Sequence, residues 1–329
     1  MRNKKWLDEL LTMIRRERET YKMDEVKVYT NRKNIVLLAT LCCFLWGSAY
    51  PAIKVGYSLF NISDVGSKLI FAGYRFTLAG IFILIFELIS KRVIFKFTRK
   101  QFGQITLLGL TQTALQYIFF YVGMSYTTGV RGSIINGTGT FVSIILAHFI
   151  YKNDRLNLNK IIGCVIGFIG VVIVNLNGES LGGTSVTFKG EGFIMIAAII
   201  FAVSAIYGKK ITQTQEPSIV TGFQLFIGGI LLTALGFALG GSLEGFTAKS
   251  TLLLIYMALL SSIAFAVWTQ LLKYNKVGLI SVFNFLIPVF GTLLSALILG
   301  ENIFDIKILI ALILVCYGIF LVYRVKKEK

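Results

Sequence analysis

The chain has 329 residues, of which 55% are hydrophobic and only 15% are charged, and its mean hydropathy is +0.75. Because a soluble domain carries roughly 25% charged residues, this composition excludes an ordinary soluble protein and favours one that lies in a membrane. The formal net charge of +17 does not indicate nucleic-acid binding, because the basic residues are concentrated in alternate loops between apolar segments.

Residues 1–33 form a charged N-terminal tail in which apolar side chains from Trp6 to Ile14 recur at helical spacing. This pattern is typical of a short amphipathic helix on the anionic cytoplasmic leaflet. A solvated tail without regular structure is the alternative that the sequence leaves open. The first apolar segment begins only after this tail, so we expect it to be an uncleaved membrane anchor.

Ten apolar segments follow, each about 17–25 residues long, which is the length that spans a bilayer core. In hydrocarbon the backbone must satisfy its own hydrogen bonds, so we predict an all-α integral membrane fold. The ten predicted transmembrane helices cover residues 35–57, 68–89, 102–124, 132–151, 158–176, 192–208, 218–239, 251–272, 278–299 and 306–323.

The distribution of charge in the loops predicts the orientation of these helices. Of the 33 Lys and Arg residues, 26 lie in the tail, after the second, fourth, sixth and eighth helices, or at the C-terminus. Cytoplasmic loops carry an excess of these residues, so we predict that both termini are cytoplasmic. We expect a multi-pass protein of the bacterial cell (inner) membrane.

The two halves of the chain resemble each other. With a constant offset of 148 residues, the fourth and fifth helices match the ninth and tenth without gaps. The matched pairs are Tyr126 with Tyr274, Ser133 with Ser281, Asn136 with Asn284, and Gly170 with Gly318. We therefore predict two five-helix repeats at residues 34–177 and 190–324, followed by a basic cytoplasmic C-terminus at residues 325–329.

The odd number of helices in each repeat determines how the two repeats are oriented in the membrane. The first helix begins inside and the sixth begins outside, so the two repeats are inverted relative to each other. Inverted repeats build alternating-access transporters, whose substrate site lies near the midplane between the halves. The sequence therefore predicts a transporter of small molecules.

Two cations lie within predicted helices. Arg75 is in the second helix, where a charge must face an interior or a cavity. It is a candidate for binding a substrate carboxylate or phosphate, and the alternative is that it braces carbonyls or tyrosines between helices. Lys54 follows Trp46 and Tyr50 on one helical stripe. This stripe is a candidate cavity wall, although Lys54 can also snorkel to the outer headgroups.

Further candidate substrate-binding residues are polar or aromatic side chains in other helices. They are Gln112, Gln116 and Tyr117 in the third helix, Asn136 and Asn284 at matching repeat positions, and Trp268 in the eighth helix. Hydrogen bonds between helices are the alternative role for the amides. An interfacial aromatic belt is the alternative for Trp268.

Three segments carry a family resemblance. They are FLWGSAYPAIK from Phe44 to Lys54, YRF around Arg75, and IPVFGTLLSALILGE from Ile287 to Glu301. In this order they resemble the EamA-type branch of the drug/metabolite transporter superfamily. The resemblance covers residues 35–323 and implies a transporter of amino acids, other metabolites or drug-like compounds, with export favoured.

The first repeat departs from the family pattern at two places. Thr140 stands where the second repeat has Pro288, and KNDRL at residues 152–156 replaces a Gly-Glu pair. From the sequence we regard Asp154 as a loop charge.

Other classes of function receive less support. No Walker A phosphate loop occurs, so ATP-driven transport by this chain alone is not indicated. A lipid-linked sugar or lipid flippase is the main alternative, and a membrane-embedded enzyme would need clustered acids and bases. His148 is the only histidine and the four cysteines lack metal-ligand spacing, so we expect no enzyme activity, metal or cofactor. The expected partners are a small-molecule substrate and the lipid bilayer. The oligomeric state is open and compatible with a monomer.

Overall fold

The structure, a computed structural model, describes residues 23, 25–90, 93–127, 132, 135–175, 187–299 and 306–324. No strand occurs among these residues. After a helical stretch at residues 25–30, ten helical segments follow, which we number α1 to α10. Their bounds are α1 Arg32–Leu59, α2 Val65–Ile89, α3 Arg99–Met124, α4 Gly139–Ile150, α5 Leu158–Asn175, α6 Phe188–Thr212, α7 Pro217–Ala238, α8 Ala248–Tyr274, α9 277–299 and α10 Ile306–Tyr323.

Each predicted helix coincides with one of these segments, and α10 has the predicted bounds. The largest departures are in α4, which has 12 residues and begins seven residues later than predicted, and in α6, which the sequence predicts to be the shortest segment and which has 25 residues. A π-helical turn over Phe188–Gly192 extends its start, where the Thr187 side chain accepts a hydrogen bond from the Gly190 amide. The proposed amphipathic helix of the tail, Ser133, Glu301 and residues 325–329 lie outside the described residues.

The exterior of the bundle is apolar. Large side chains such as Phe149, Ile89 and Phe188 are 78%, 74% and 73% exposed, which is typical of a surface that faces lipid and not water. By length and composition, seven of the described helices are able to cross a membrane. Three shorter apolar helices accompany them at Ile135–Ile150, Leu158–Ile173 and Leu309–Tyr323. The chain is therefore a multi-pass membrane protein, and the count of ten spanning helices stays a prediction.

Besides the π-helical start of α6, two helices contain segments that depart from regular α geometry. In α3, residues Gly109–Leu115 are π-helical, and in α9, residues Val282–Phe285 form a 3₁₀ turn. A π segment inserts one extra residue into a helix and is often found at functional sites. Both irregular segments lie in helices that contribute to the cavity described below.

Side-chain caps explain where several helices begin. Asp64 accepts a hydrogen bond from the Ser67 amide at the start of α2. This bond, together with the Ser67 hydroxyl, lowers the pKa of the Asp64 carboxyl. Thr98 and Thr247 each form a capping box at the starts of α3 and α8. Such caps satisfy amide groups that have no partner within the helix.

The second helices of the two halves, α2 and α7, pack against each other through glycines. Gly66, Gly73 and Gly80 of α2 face Gly236, Gly229 and Gly222 of α7, respectively. Residue numbers rise along one helix as they fall along the other, so the two helices are antiparallel. A Cβ atom on Gly80 would lie 2.6 Å from the Gly222 carbonyl oxygen. The close approach of these helices therefore depends on glycine.

The same arrangement recurs between the fifth helices of the two halves, α5 and α10. Gly163 faces Gly318, and Gly170 faces Ala311, so these helices are also antiparallel. The remaining contacts follow one pattern: α1 packs against α8 and α9, as α6 packs against α3 and α4. Helices at corresponding positions in the two halves therefore occupy corresponding places in the bundle.

Asp154 lies in a loop, as the sequence indicates, but the structure buries its side chain. It is only 2% exposed, and its Oδ1 atom lies 2.6 Å from the Nζ atom of Lys160. Its Oδ2 atom accepts a hydrogen bond of 2.9 Å from the Gly278 amide at the start of α9. The turn between α4 and α5 folds back onto the second half of the chain, and this contact buries the carboxylate together with its partner.

Candidate functional site

A cavity of about 620 Å³ lies between α1, α2, α3, α4, α6, α8 and α9. Its wall is formed by the second half of α1, the first half of α2 and the second half of α3. The cavity therefore opens at the end of the bundle where α1 ends and α2 begins. Volumes of this size suit small-molecule ligands.

The opposite end of the bundle is closed by contacts between the two halves. The hydrogen bond from Gly278 to Asp154 is one of them. Within the second half, at the same end of the bundle, the Lys209 ammonium group of α6 donates hydrogen bonds to the carbonyl oxygens of Leu272 and Asn275 of α8. Among the described residues, the cavity is open toward the end where α1 ends and closed toward the opposite end, so it faces one end of the bundle.

Eight of the ten residues that were predicted from the sequence line this cavity. They are Trp46, Tyr50, Lys54, Arg75, Gln116, Tyr117, Asn136 and Asn284. The structure therefore brings together side chains from five helical segments that are far apart in the sequence. Their role in binding stays a prediction.

Arg75 is the most deeply buried cation of the cavity wall, with 2% exposure. Its Nε atom donates a hydrogen bond of 2.7 Å to the Ser261 hydroxyl, which itself donates to the Met257 carbonyl over 2.8 Å. Its guanidinium carbon lies 5.0 Å from the centre of the Phe76 ring. Ser261 therefore fixes one edge of the guanidinium group of a side chain that lines the cavity.

Two tyrosines connect Arg75 to the mouth of the cavity. The Tyr121 phenol interacts with Arg75 and with the Tyr57 phenol, and the Lys68 ammonium lies 5.7 Å from the centre of the Tyr57 ring. Lys68 also donates a hydrogen bond of 3.4 Å to the Ser125 hydroxyl. A row of cations and phenols therefore extends from the mouth to the interior.

The electrostatics of the cavity favour an anionic group. Its wall includes three cations, Lys54, Lys68 and Arg75, and no carboxylate is among the described residues that line it. A buried cation without an opposite charge is unfavourable, and a bound carboxylate or phosphate would compensate it.

Three polar atoms of the wall are buried without a hydrogen-bond partner among the described residues. They are Trp46 Nε1, Gln116 Oε1 and Asn284 Oδ1. An unsatisfied buried group costs about 1–3 kcal/mol, so a ligand that supplies the missing partners gains affinity. Trp46 offers a donor and the amides offer acceptors, which suits a ligand with both kinds of group.

Gln112 and Trp268, the other two predicted residues, are not on this wall. They line a separate cavity of about 10 Å³ toward the closed end. The Trp268 ring packs edge-on against Trp46 at 5.1 Å between centroids. Phe265 lines both cavities and packs against Trp46 at 5.3 Å. These aromatic rings separate the two spaces.

The cavity residues that sequence reasoning missed include Tyr57, Lys68 and Tyr121 toward the mouth, and Phe265 next to the small cavity. Helical spacing indicates two of them. Lys68 lies seven residues before Arg75, on the same face of α2, and Tyr121 lies four residues after Tyr117 on α3. Phe265 carries no such signal, because an isolated phenylalanine in an apolar helix does not reveal which cavity it faces.

An apolar helical bundle that encloses a partly polar, cationic cavity open at one end defines a membrane transporter. The family model of the EamA-like transporter family matches this chain twice, at residues 33–176 and 188–324. The chain belongs to the EamA-like transporter family.

Individual relatives are similar over nearly their whole length. An uncharacterized transporter from Archaeoglobus fulgidus is 25% identical over 297 residues, covering 89% of this chain and 99% of that protein. A probable amino-acid metabolite efflux pump from Salmonella typhimurium is 26% identical over 301 residues, covering 86% and 93%. A crystal structure superposes with a TM-score of 0.73 at 17% identity, covering 88% of this chain and 96% of the other, and indicates a shared fold.

Proposed function

We propose that this protein is a secondary transporter of small metabolites that works by alternating access, with its substrate site in the 620 Å³ cavity. The observation that carries this proposal is the cavity itself, which lies between the two halves, opens at one end and contains the buried Arg75. A site that both halves share can face one side and then the other when the halves exchange conformations.

The architecture that we propose has ten membrane-spanning helices in two inverted five-helix repeats, at residues 34–177 and 190–324. Two observations support it: the family model matches once in each half, and both α2 with α7 and α5 with α10 pack antiparallel. Corresponding helices that run antiparallel belong to inverted units. Loop charge supports cytoplasmic termini in the bacterial inner membrane, so the open end of the cavity faces outward.

Amino acids or related compounds are the proposed substrates, with export favoured. The name of the Salmonella typhimurium relative supports this class, and so do the groups on the cavity wall. The Arg75 guanidinium suits a carboxylate, and the amide oxygens of Gln116 and Asn284 suit an ammonium or hydroxyl group. The aromatic side chains around Trp46 suit an apolar side chain.

Counterflow into proteoliposomes tests the proposal. Vesicles preloaded with a pool of unlabelled amino acids and organic anions are supplied with one labelled compound at a time. We expect wild-type protein to accumulate label, and we expect Arg75→Ala to lose at least tenfold of the initial rate. Lys152→Ala removes an exposed cation far from the cavity and is the matched control, which we expect to retain the wild-type rate.

Each outcome of this experiment separates the alternatives. Uptake that Arg75→Ala leaves unchanged would refute the role of Arg75 in binding but not transport. The absence of uptake for every water-soluble compound would refute the proposed substrate class, and translocation of a lipid-linked sugar in the same vesicles would then identify a flippase.

A further inference from the structure

The small cavity near the closed end has no role in the function proposed so far. It measures about 10 Å³, close to the space that one water molecule needs. Polar side chains from four helices line it, including Gln112, Lys209, Gln224 and Thr269. Such a polar space in the middle of an apolar bundle requires an explanation, and the internal repeat supplies one.

Corresponding residues of α3 and α8 can be assigned from their caps and their geometry. Both helices begin with a threonine capping box, at Thr98 and Thr247, which are 149 residues apart. The π segment Gly109–Leu115 inserts one residue into α3. For residues after this π segment, corresponding positions in α3 and α8 are therefore 148 residues apart. The same separation relates Asn136 to Asn284.

With this offset, every α8 residue of the small cavity matches an α3 residue of the large one. Phe265, Trp268, Thr269 and Leu272 line the small cavity. Their counterparts Tyr117, Phe120, Tyr121 and Met124 all line the large cavity.

The first helices of the two halves, α1 and α6, show the same correspondence between the two cavities. The segment from Trp46 to Lys54 matches that from Phe201 to Lys209 with an offset of 155 residues, which pairs an aromatic residue with an aromatic residue and a lysine with a lysine. On the small cavity, α6 contributes Ala205, Gly208 and Lys209. Their counterparts Tyr50, Ile53 and Lys54 line the large cavity.

The second helices complete the comparison. Two of the three glycines on each side of the α2–α7 contact align with an offset of 149 residues, Gly73 with Gly222 and Gly80 with Gly229. Gln224 then corresponds to Arg75. In total, eight of the eleven residues around the small cavity are counterparts of residues around the large one. The small cavity is therefore the equivalent, in the second half, of the open cavity in the first.

Among the residues of the small cavity, Lys209 forms hydrogen bonds at the closed end of the bundle. The Lys209 ammonium donates hydrogen bonds to the carbonyls of Leu272 and Asn275, in the last turn and at the C-cap of α8. These carbonyls have no partner within their own helix, and a cation at a helix C-terminus is favourable. At the open end, Lys54 is exposed and forms no hydrogen bond with a described residue.

We propose that Lys209 and Lys54 alternate as the residues that close the two ends of the transport pathway, an inference that depends on the transport function proposed above. In the other conformation Lys209 leaves the end of α8 and the small cavity opens. Lys54 then donates hydrogen bonds to the carbonyls of Met124 and Thr127, which correspond to Leu272 and Asn275. Gln112, Gln224 and Trp268 line the pathway in that state.

Distances between pairs of spin labels test this inference without any substrate. Thr214 with Lys276 reports the closed end and Ser58 with Tyr126 the open end, because all four are exposed. The labels are attached to cysteines in a Cys316→Ser background, since the other three native cysteines are buried.

We expect Lys209→Met to lengthen the Thr214–Lys276 distance and to shorten the Ser58–Tyr126 distance. The ratio of the two populations should shift about tenfold, which corresponds to about 1.4 kcal/mol. Lys54→Met should shift the ratio in the opposite direction. Lys209→Arg retains the cation and its donors and should resemble wild type.

Lys210→Met is the matched control, because it removes the neighbouring, exposed cation of α6 and leaves the contact with α8 intact. Equal distance distributions for the Lys209→Met and Lys210→Met proteins would overturn the inference. A longer Thr214–Lys276 distance in the Lys209→Met protein without a change in the Ser58–Tyr126 distance would also overturn the inference. If the protein transports substrate but the label distances do not change in the Lys209→Met variant, this inference alone is refuted. If the distances change but the protein transports nothing, the proposed function is refuted.

Discussion

Two Gly→Ala substitutions should change stability in opposite directions, because the structure places the two glycines in opposite surroundings. Gly103 in α3 has no neighbouring atom within 4 Å of the position that a Cβ atom would occupy, whereas a Cβ on Gly80 in α2 would lie 2.6 Å from both the Gly222 carbonyl oxygen and the Phe226 amide nitrogen. Alanine is favoured over glycine in a helix by about 0.8–1.0 kcal/mol. Gly103→Ala should therefore stabilise the protein by roughly that amount.

At Gly80 the same helix preference is opposed by overlap with backbone atoms, which are unable to move aside as a flexible side chain can. Overpacking of a close contact costs about 1–3 kcal/mol. After subtraction of the helix preference, we expect Gly80→Ala to destabilise the protein by up to about 2 kcal/mol or to separate α2 from α7.

Thermal unfolding of both variants in the same detergent, followed by tryptophan fluorescence, measures this difference. We expect the Tm of the Gly103→Ala protein to rise and that of the Gly80→Ala protein to fall relative to wild type. Equal shifts, or a stabilised Gly80→Ala protein, would refute the close antiparallel packing of α2 and α7.

Two further predictions concern the loops. Removing one partner of the buried Asp154–Lys160 pair leaves an uncompensated charge, so Asp154→Ala and Lys160→Met should each destabilise the protein by about 3–5 kcal/mol and the double variant by less than the sum. Thermal unfolding of the four proteins measures this coupling, and additive losses would contradict it. At the start of α2, Asp64→Ala should destabilise by about 0.5–1 kcal/mol at pH 7, since it removes an exposed N-cap. Because the folded state lowers the pKa of Asp64 below its ordinary value of 3.8, this stabilisation is present above that value and is lost as the pH falls through the lowered pKa. Unfolding measured from pH 7 to pH 3 should show the two proteins converging, and a difference that is independent of pH would refute the capping role of the carboxylate.

The positions of the helices follow from hydropathy because the bilayer imposes one rule on every spanning segment, whatever packs beside it. Irregularities within helices do not follow from that rule. The π segment in α3 and the 3₁₀ turn in α9 depend on how neighbouring helices meet them. The burial of Asp154 was missed for a similar reason, because its partner Gly278 is 124 residues away.

Arg75 was identifiable from the sequence because a charge in the middle of an apolar helix has few stable surroundings. Lys54 was ambiguous, since a lysine near a helix end has the same sequence signature whether it snorkels or lines a cavity. The structure places it on the cavity wall. The contacts of its counterpart Lys209 then suggest what Lys54 does when the cavity closes.

The separation of the ten candidate residues into two cavities has a physical meaning in a protein with internal repeats. Trp268 occupies in α8 the position that Phe120 occupies in α3, and Gln224 occupies in α7 that of Arg75. One sequence supplies the residues that line the pathway in every conformation of the chain. Its polar and aromatic positions therefore include residues that line the pathway in only one of these conformations. One conformation opens only part of that pathway. If the two cavities open in turn as we propose, Gln112 and Trp268 line the pathway in the other conformation, and their distance from the large cavity does not argue against a role in transport.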